Sequence, residues 1–271
     1  MNANIDVLYI SHGGGPMPLL GDPDHSELVS TLTELAGTLR KPSAILVISA
    51  HWEESVPTIT SGAKPPLIYD YYGFPPESYE ITYPCPGEPA LARQIQQALE
   101  QAGLPARLDA QRGFDHGHFV PLKLMYPQAD IPCVQLSLVN NMDAETHLAI
   151  GRALQTLKHD RLLVIGSGFS FHNMRAFFGP NTPDIQAGNQ AFEDWLEQTC
   201  SSTEISETER GRRLAQWEQA PHARFCHPRE EHLLPLHVCY GLAEQPCDTH
   251  ISATVLRKKA GFFYWRATPQ A

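Results

Sequence analysis

The chain has 271 residues, 42% hydrophobic and 18% charged, enough to bury one large core and read here as a single domain over 1–271. A formal net charge of −10, with no Lys/Arg run interleaved with aromatics, argues against a nucleic-acid partner. The six cysteines form no C-x-x-C pair, and apolar runs such as "AILVISA" and "LLVIG" are too short to span a bilayer. The N-terminus lacks a basic region followed by a long apolar stretch, so a protein of the reducing cytoplasm with free or buried thiols is expected.

In chain order, residues 5–10 read as a buried strand that runs into "YISHGGGPMP". That stretch suits two chemistries: a metal ligand at His12, or an oxyanion hole built from the backbone N–H groups of an HGGG-type loop. Leu28, Leu32, Leu35 and Leu39 recur at helical spacing, and Lys41-Pro42 ends that helix before a strand at 44–49. Residues 67–89, "LIYDYYGFPPESYEITYPCPGEP", are kept out of regular structure by their prolines and predict a long ordered loop of functional importance. Pro89 suits the first turn of a helix carrying Leu91, Ile95, Leu99 and Ala102 on one face and closed by Gly103. Strands at 133–138 and 162–165 flank a helix over 143–158 that Asp143 can cap. Helices over 185–200 and 207–219, the helix-like "EEHLLPLHVCYG", and strands at 251–256 and 262–265 complete the chain. The alternation predicts an α/β fold, a largely parallel central sheet flanked by helices.

His12, His51 ("VISAHWEE") and His172 ("VIGSGFSFHNM") each lie just beyond a predicted strand, and in a parallel sheet such ends share the edge where ligands bind. "GFDHGHFVPLKLMYP" adds Asp115, His116 and His118, and "HPREEHLLPLH" adds Glu230, Glu231 and His232. A lone histidine is more often a hydrogen-bonded structural residue than a ligand, and none of these pairs has the H-E-x-x-H or C-x-x-C form, so the signal is their common placement. A serine hydrolase fits less well. The nearest approach to G-x-S-x-G is "GFSFH" at 168–172, with His172 where the last glycine belongs, and the HGGG-like loop follows the first strand rather than the third.

Taken together, "SHGGGPM", "VISAHWE", "GFDHG", "SGFSFHN" and "EEHLLPL" resemble, in order, the blocks of the DODA-type (4,5-DOPA) class III extradiol ring-cleavage dioxygenases. The likeness continues through "GFPPESYEITYPCPGEPALA" and "MYPQADIPCVQLSL" and covers most of the chain except 180–224. It implies a LigB-like α/β fold and one divalent metal per chain, Fe(II) or Zn(II), held by His12, His51 and His232, which favours the metal for His12. The resemblance assigns His172 as acid/base catalyst and candidate fourth ligand, and His116 as a catalytic residue that orients substrate and oxygen intermediates. Glu231 is the runner-up ligand, because protocatechuate-type relatives complete a two-His, one-carboxylate face. His118 replaces a smaller residue common in relatives and receives no role.

The implied reaction joins a catechol, L-DOPA or a related compound, to O2 and opens the ring outside the two hydroxyls to give a semialdehyde. His172 would take the second phenolic proton and later return one, which an imidazole of ordinary pKa near about 6.5 can do in both directions. Trp52, Phe74, Tyr126 and the aromatic loop are candidates to wall the ring, or plain core residues. The expected partners are a small catecholic substrate and O2, with no nucleic acid and no membrane; a homo-oligomer is left open. Two alternatives accompany this reading: a non-enzymatic, Memo-like metal-binding interaction protein, and a zinc-dependent hydrolase that activates a bound water.

Overall fold

Eight strands form one sheet: β1 (Ile5–Ser11), β2 (Ala44–Glu54), β3 (Thr58–Thr60), β4 (Arg107–Asp109), β5 (Cys133–Val139), β6 (Leu162–Gly168), β7 (Thr249–Val255) and β8 (Lys258–Trp265). They are described by a computed structural model that covers residues 5–267. The order across the sheet is β4-β3-β5-β2-β6-β1-β8-β7. The central pairings β5–β2, β2–β6 and β6–β1 are parallel. Strands in that position are covered on both faces, which is why β1, β5 and β6 are buried at every residue, the polar Asp6, Gln135 and Ser137 included. The β7–β8 hairpin adds to β1 in antiparallel fashion. The fold is therefore α/β, one domain with a mostly parallel sheet between helices, as the alternation predicted.

The flanking helices are α1 (Ser26–Thr38), α2 (Pro89–Gln101), α3 (His116–Met125), α4 (Ala144–Leu154), α5 (Met174–Phe178), α6 (Pro183–Ser201), α7 (Glu207–Ala215), α8 (Ala223–Cys226) and α9 (Leu234–Ala243). The predicted faces are buried at Leu28, Leu32 and Leu35 in α1 and at Leu91, Ile95 and Leu99 in α2, but Leu39 and Ala102 fall just past the helix ends, where Ala102 is exposed. Asp143 caps α4 by accepting the Thr146 N–H at 2.8 Å. No helix among the described residues is long and apolar enough to cross a membrane, and all six cysteines are buried and free.

Several boundaries differ from the sequence reading in ways that bear on function. Strand β2 runs past 49 to Glu54, so His51 lies within it, and β6 continues past 165 to Gly168. Helix α4 stops at Leu154 instead of 158, α7 gives way to a 3-10 turn at Trp217–Gln219, and α9 begins only at Leu234, leaving Glu231 and His232 in the turn before it. Helix α3 was not predicted, because burial of nearly every residue erases its period and Pro121 lies inside it. Segment 67–89 is the expected ordered loop. It is pinned by Tyr69 and Tyr71 hydroxyls donating to Ile81 and Ser78 carbonyls, both at 2.6 Å, and by isolated bridges from Leu67 to Phe114 and from Gly87 to Cys133.

Candidate metal centre

Register brings the ligand candidates to one edge: Ser11 lies opposite Gly168 across β1–β6, and Ser49 opposite Ser167 across β2–β6. His12 extends the ladder by one bond, its N–H donating to Gly168 O at 2.9 Å, and the chain then turns at Gly13 with φ +86°. In that turn the Gly14 N–H donates to His25 Nε2 at 2.9 Å, while His25 Nδ1 is held by Asp22 at 2.6 Å. The Gly14 amide is thus already engaged, against an oxyanion hole at this loop. His51 sits where the β2–β5 register shifts between Ile48 and Glu53, an irregularity of the kind that re-aims a side chain. His232 is fixed from behind, its carbonyl accepting from the Phe169 N–H at 3.0 Å and from the Tyr9 hydroxyl at 2.9 Å.

Three ring nitrogens converge. His51 Nε2 lies 3.0 Å from His12 Nε2 and 3.3 Å from His232 Nε2. The far side of the His12 and His232 rings decides their tautomers. Ser167 donates its hydroxyl to the Gly117 carbonyl and so accepts from His12 Nδ1 at 3.0 Å, which leaves the lone pair of His12 on Nε2. His232 Nδ1 faces Glu231 Oε1 at 3.0 Å, with the same consequence, and His51 Nδ1 faces Asp70 at 3.8 Å. Burial, reinforced by the neighbouring imidazoles, pushes all three pKa values well down, so the rings are neutral, the form that binds metal. A proton on His51 Nε2 could satisfy only one of its two neighbours; a cation satisfies all three. Nitrogens held about 2.0–2.1 Å from a single ion lie about 2.9–3.4 Å apart, so the spacing fits one.

Two further histidines flank the trio. The His172 ring stacks on His232 with centroids 3.5 Å apart, and its Nδ1 is 3.2 Å from Glu231 Oε1. Glu231 therefore presents its carboxylate to the Nδ1 atoms of both rings. Burial pushes its pKa up, but the hydrogen bond and charge of His172 outweigh it and the group is held below the usual range. His116 opens α3 with Nδ1 2.9 Å from Asp70 Oδ1, and its ring lies 3.9 Å from that of His51. Asp70 follows the same pattern, with burial opposed and outweighed by His116.

The structure thus gathers His12, His51, His116, His172, His232 and Glu231 in one place. Asp115 lies below it, fully buried, accepting from Ser49 Oγ at 2.7 Å and from Gln135, and so ties α3 to β2 and β5. Glu230 pairs outward with Arg224 at 2.6 Å, and His118 is part of a separate cluster. Sequence reasoning missed Asp70, Ser167 and His25. Only Asp70 carried a hint, standing in a loop already marked as functional.

A pocket of about 380 Å³ opens over the rings, walled by the glycine loop, Tyr71, Phe74, Phe169, Phe177 and Leu256. Of the proposed walls, Phe74 lines it, but Trp52 and Tyr126 do not. Trp52 is buried with the Arg112 guanidinium 4.5 Å over its ring, and Tyr126 borders a hollow beside α1. Side-chain character alone points to both as walls; the end of β2 buries Trp52, and the end of α3 leaves Tyr126 half-buried against the core on the side of that hollow. Ser170 of "GFSFH" is also buried and accepts the Gly261 N–H at 2.7 Å, so it presents no nucleophile to the pocket.

Against known proteins, residues 7–265 match the family model for the catalytic LigB subunit of aromatic ring-opening dioxygenase. A dioxygenase of Hapsidospora irregularis is 40% identical over 88% of this chain and 78% of its own length. A 4,5-DOPA dioxygenase extradiol of Beta vulgaris is 38% identical over 88% of this chain and 87% of its own. The crystal structure of an uncharacterized protein from Escherichia coli K12 superposes with a TM-score of 0.75 at 28% identity, covering 96% of this chain and 99% of that one. With sequence, fold and a cluster of histidines able to hold a metal ion in agreement, the chain belongs to the LigB family and is an extradiol ring-cleaving dioxygenase.

Proposed function

We propose that this enzyme opens a catechol with O2 using one divalent ion held by His12, His51 and His232, and that the ion is Fe(II). The observation that carries the reading is the meeting of three imidazole Nε2 atoms, spaced 3.0 and 3.3 Å, at a pocket with aromatic walls. When bound, the ion supplies Lewis acidity toward the catechol hydroxyls and, as iron, the redox link between ring and O2. The chain's own residues do the rest. Tyr71, Phe74 and Phe177 take the faces of the aromatic ring and exclude water. His172, oriented through Nδ1 by Glu231, takes a phenolic proton and returns one as the ring opens. His116, oriented by Asp70, positions the substrate from the opposite side. Relatives named for 4,5-DOPA point to L-DOPA or a related catechol as the substrate and to a semialdehyde as the product. The enzyme would work in the cytoplasm, where its thiols stay reduced.

The test is removal of bound metal with a chelator, anaerobic reloading with Fe(II) or Zn(II), and an oxygen electrode against a catechol panel that includes L-DOPA. Fe(II) should restore oxygen uptake and Zn(II) should not, since zinc has no redox chemistry to offer. His12→Ala, His51→Ala and His232→Ala should each lower metal content. Equal recovery with zinc, or full metal occupancy in the His232→Ala chain, would overturn the assignment.

A further inference from the structure

A second group of metal-ligating atoms lies sealed in the core, away from the histidine centre. Cys85 in the loop before α2, His118 in the first turn of α3 and Cys133 at the head of β5 each offer a donor atom, and these atoms lie within 4.8 Å of one another. Their residues are 3%, 0% and 1% exposed. Neither ring nitrogen of His118 has a hydrogen-bond partner among the described residues. A neutral imidazole carries one N–H and one lone pair, and a buried one normally pairs them. Burial lowers the His118 pKa to about 3, so the ring is neutral and its lone pair is open to a cation. Phe114 stacks on it at 3.8 Å and 11° and fixes its plane. The backbone around the cysteines is also preorganised: the Cys133 N–H donates to Pro86 O at 2.8 Å, and Gly87 bridges to Cys133.

We propose that Cys85, His118 and Cys133 bind a thiophilic closed-shell cation, Zn(II) or Cu(I), as a structural site distinct from the centre that performs ring opening. Two thiolates and an imidazole form a soft donor set, which selects these ions over Fe(II), Mg(II) or Ca(II). Binding of Zn(II) releases two thiol protons to solvent and leaves dication and two thiolates neutral in sum, the charge state a sealed core accepts most readily. Cu(I) takes three donors and leaves one negative charge. Either ion would staple the aromatic loop and β5 to α3, the helix whose first residue is His116.

The two centres are separable by spectroscopy, because no sulfur lies among the donors of the histidine centre. The full chain, purified under reducing conditions, is titrated anaerobically with Co(II) and with Cd(II), and sulfur-to-metal charge-transfer absorption is read. The expected result is a band that saturates at one ion per chain, persists in His12→Ala, is lost in Cys85→Ser and Cys133→Ser, and weakens in His118→Ala. Competition by Zn(II), or by Cu(I) with and without a Cu(I)-specific chelator, tells which ion binds. Should the cysteine variants fail to fold, the wild-type titration still decides. Folded wild-type chain that binds Co(II) without a charge-transfer band overturns the proposal. So does an intact mass short of two hydrogens with Cys85 and Cys133 joined in a disulfide.

Discussion

For His12 and His232, the partner of Nδ1 decides what Nε2 can do. Ser167 and Glu231 take the Nδ1 protons of His12 and His232, so both rings offer lone pairs to the same point. His172 shares Glu231 with His232 and stacks on its face, a placement suited to passing a proton beside the ion. His172→Phe should therefore keep the metal and slow turnover by about a hundred- to ten-thousand-fold, the usual worth of a positioned acid/base. Metal analysis of the purified variant beside anaerobic catechol binding by absorbance checks this. Metal lost together with activity would make His172 a fourth ligand, and near wild-type turnover would remove it from the mechanism. The histidines were legible because their residue type and the short motifs around them, near apolar runs or beside glycines and acids, are written in the chain. Asp70, Ser167 and the tautomer that Ser167 imposes on His12 were not, since those contacts join residues from separate elements.

At the scale of elements, His12 depends on the turn that follows β1. Gly13 has φ +86°, and a Cβ there would lie 2.8 Å from His25 Cδ2 and 3.0 Å from Pro18 Cγ. Gly21 shares the left-handed backbone, φ +74°, but a Cβ there meets nothing within 4 Å. The pair separates conformational strain from displacement of His12, the proposed ligand. Gly21→Ala should cost about 1–2 kcal/mol of stability and leave metal content intact. Gly13→Ala should add about 1–3 kcal/mol of overpacking and also lower metal content, because relief of the clash moves His25 or the turn that holds His12. Denaturant midpoints with metal analysis give both readings, and normal metal content in Gly13→Ala would show that the turn does not position the ligand. The helix α3 illustrates the opposite limit, an element hidden from sequence because uniform burial leaves no period to read.

Across the whole molecule, buried histidines set the response to acid. His147 accepts the Val139 N–H at 3.1 Å on Nε2 and donates through Nδ1 to Asp143 O at 2.7 Å, which leaves no place for a second proton. Burial pushes its pKa down to about 4 and that of His227 to about 3, and lowers that of His237. Each folded pKa lies below the unfolded value of about 6.5, so the stabilisation is complete above pH 6.5 and is lost as pH falls, at up to about 1.4 kcal/mol per pH unit per histidine. Buried Glu193, raised to about 8, and Asp115, also raised, act in the opposite sense, but are outnumbered once the centre's own depressed histidines are included. The thermal midpoint should therefore drop between pH 6.5 and 4.5 in the holoenzyme and in the chelated chain. A midpoint that stays level or rises over that window would contradict this balance.

By itself, the sequence determined the α/β class, the parallel centre and the histidines at its edge, because apolar runs, helical spacing and strand-end placement are local patterns. It also carried the family, through ordered motifs that no single spacing would have established. Tertiary structure alone decided that β2 carries His51 past the predicted strand end, that Glu231 faces Nδ1 atoms, and that Trp52 and Tyr126 lie away from the pocket. The same holds for Cys85, His118 and Cys133, which are distant in the chain and meet only where a loop, α3 and β5 pack together. Side-chain type is written in one dimension, but which atoms share a volume depends on how sheet register and loop closure bring remote segments together.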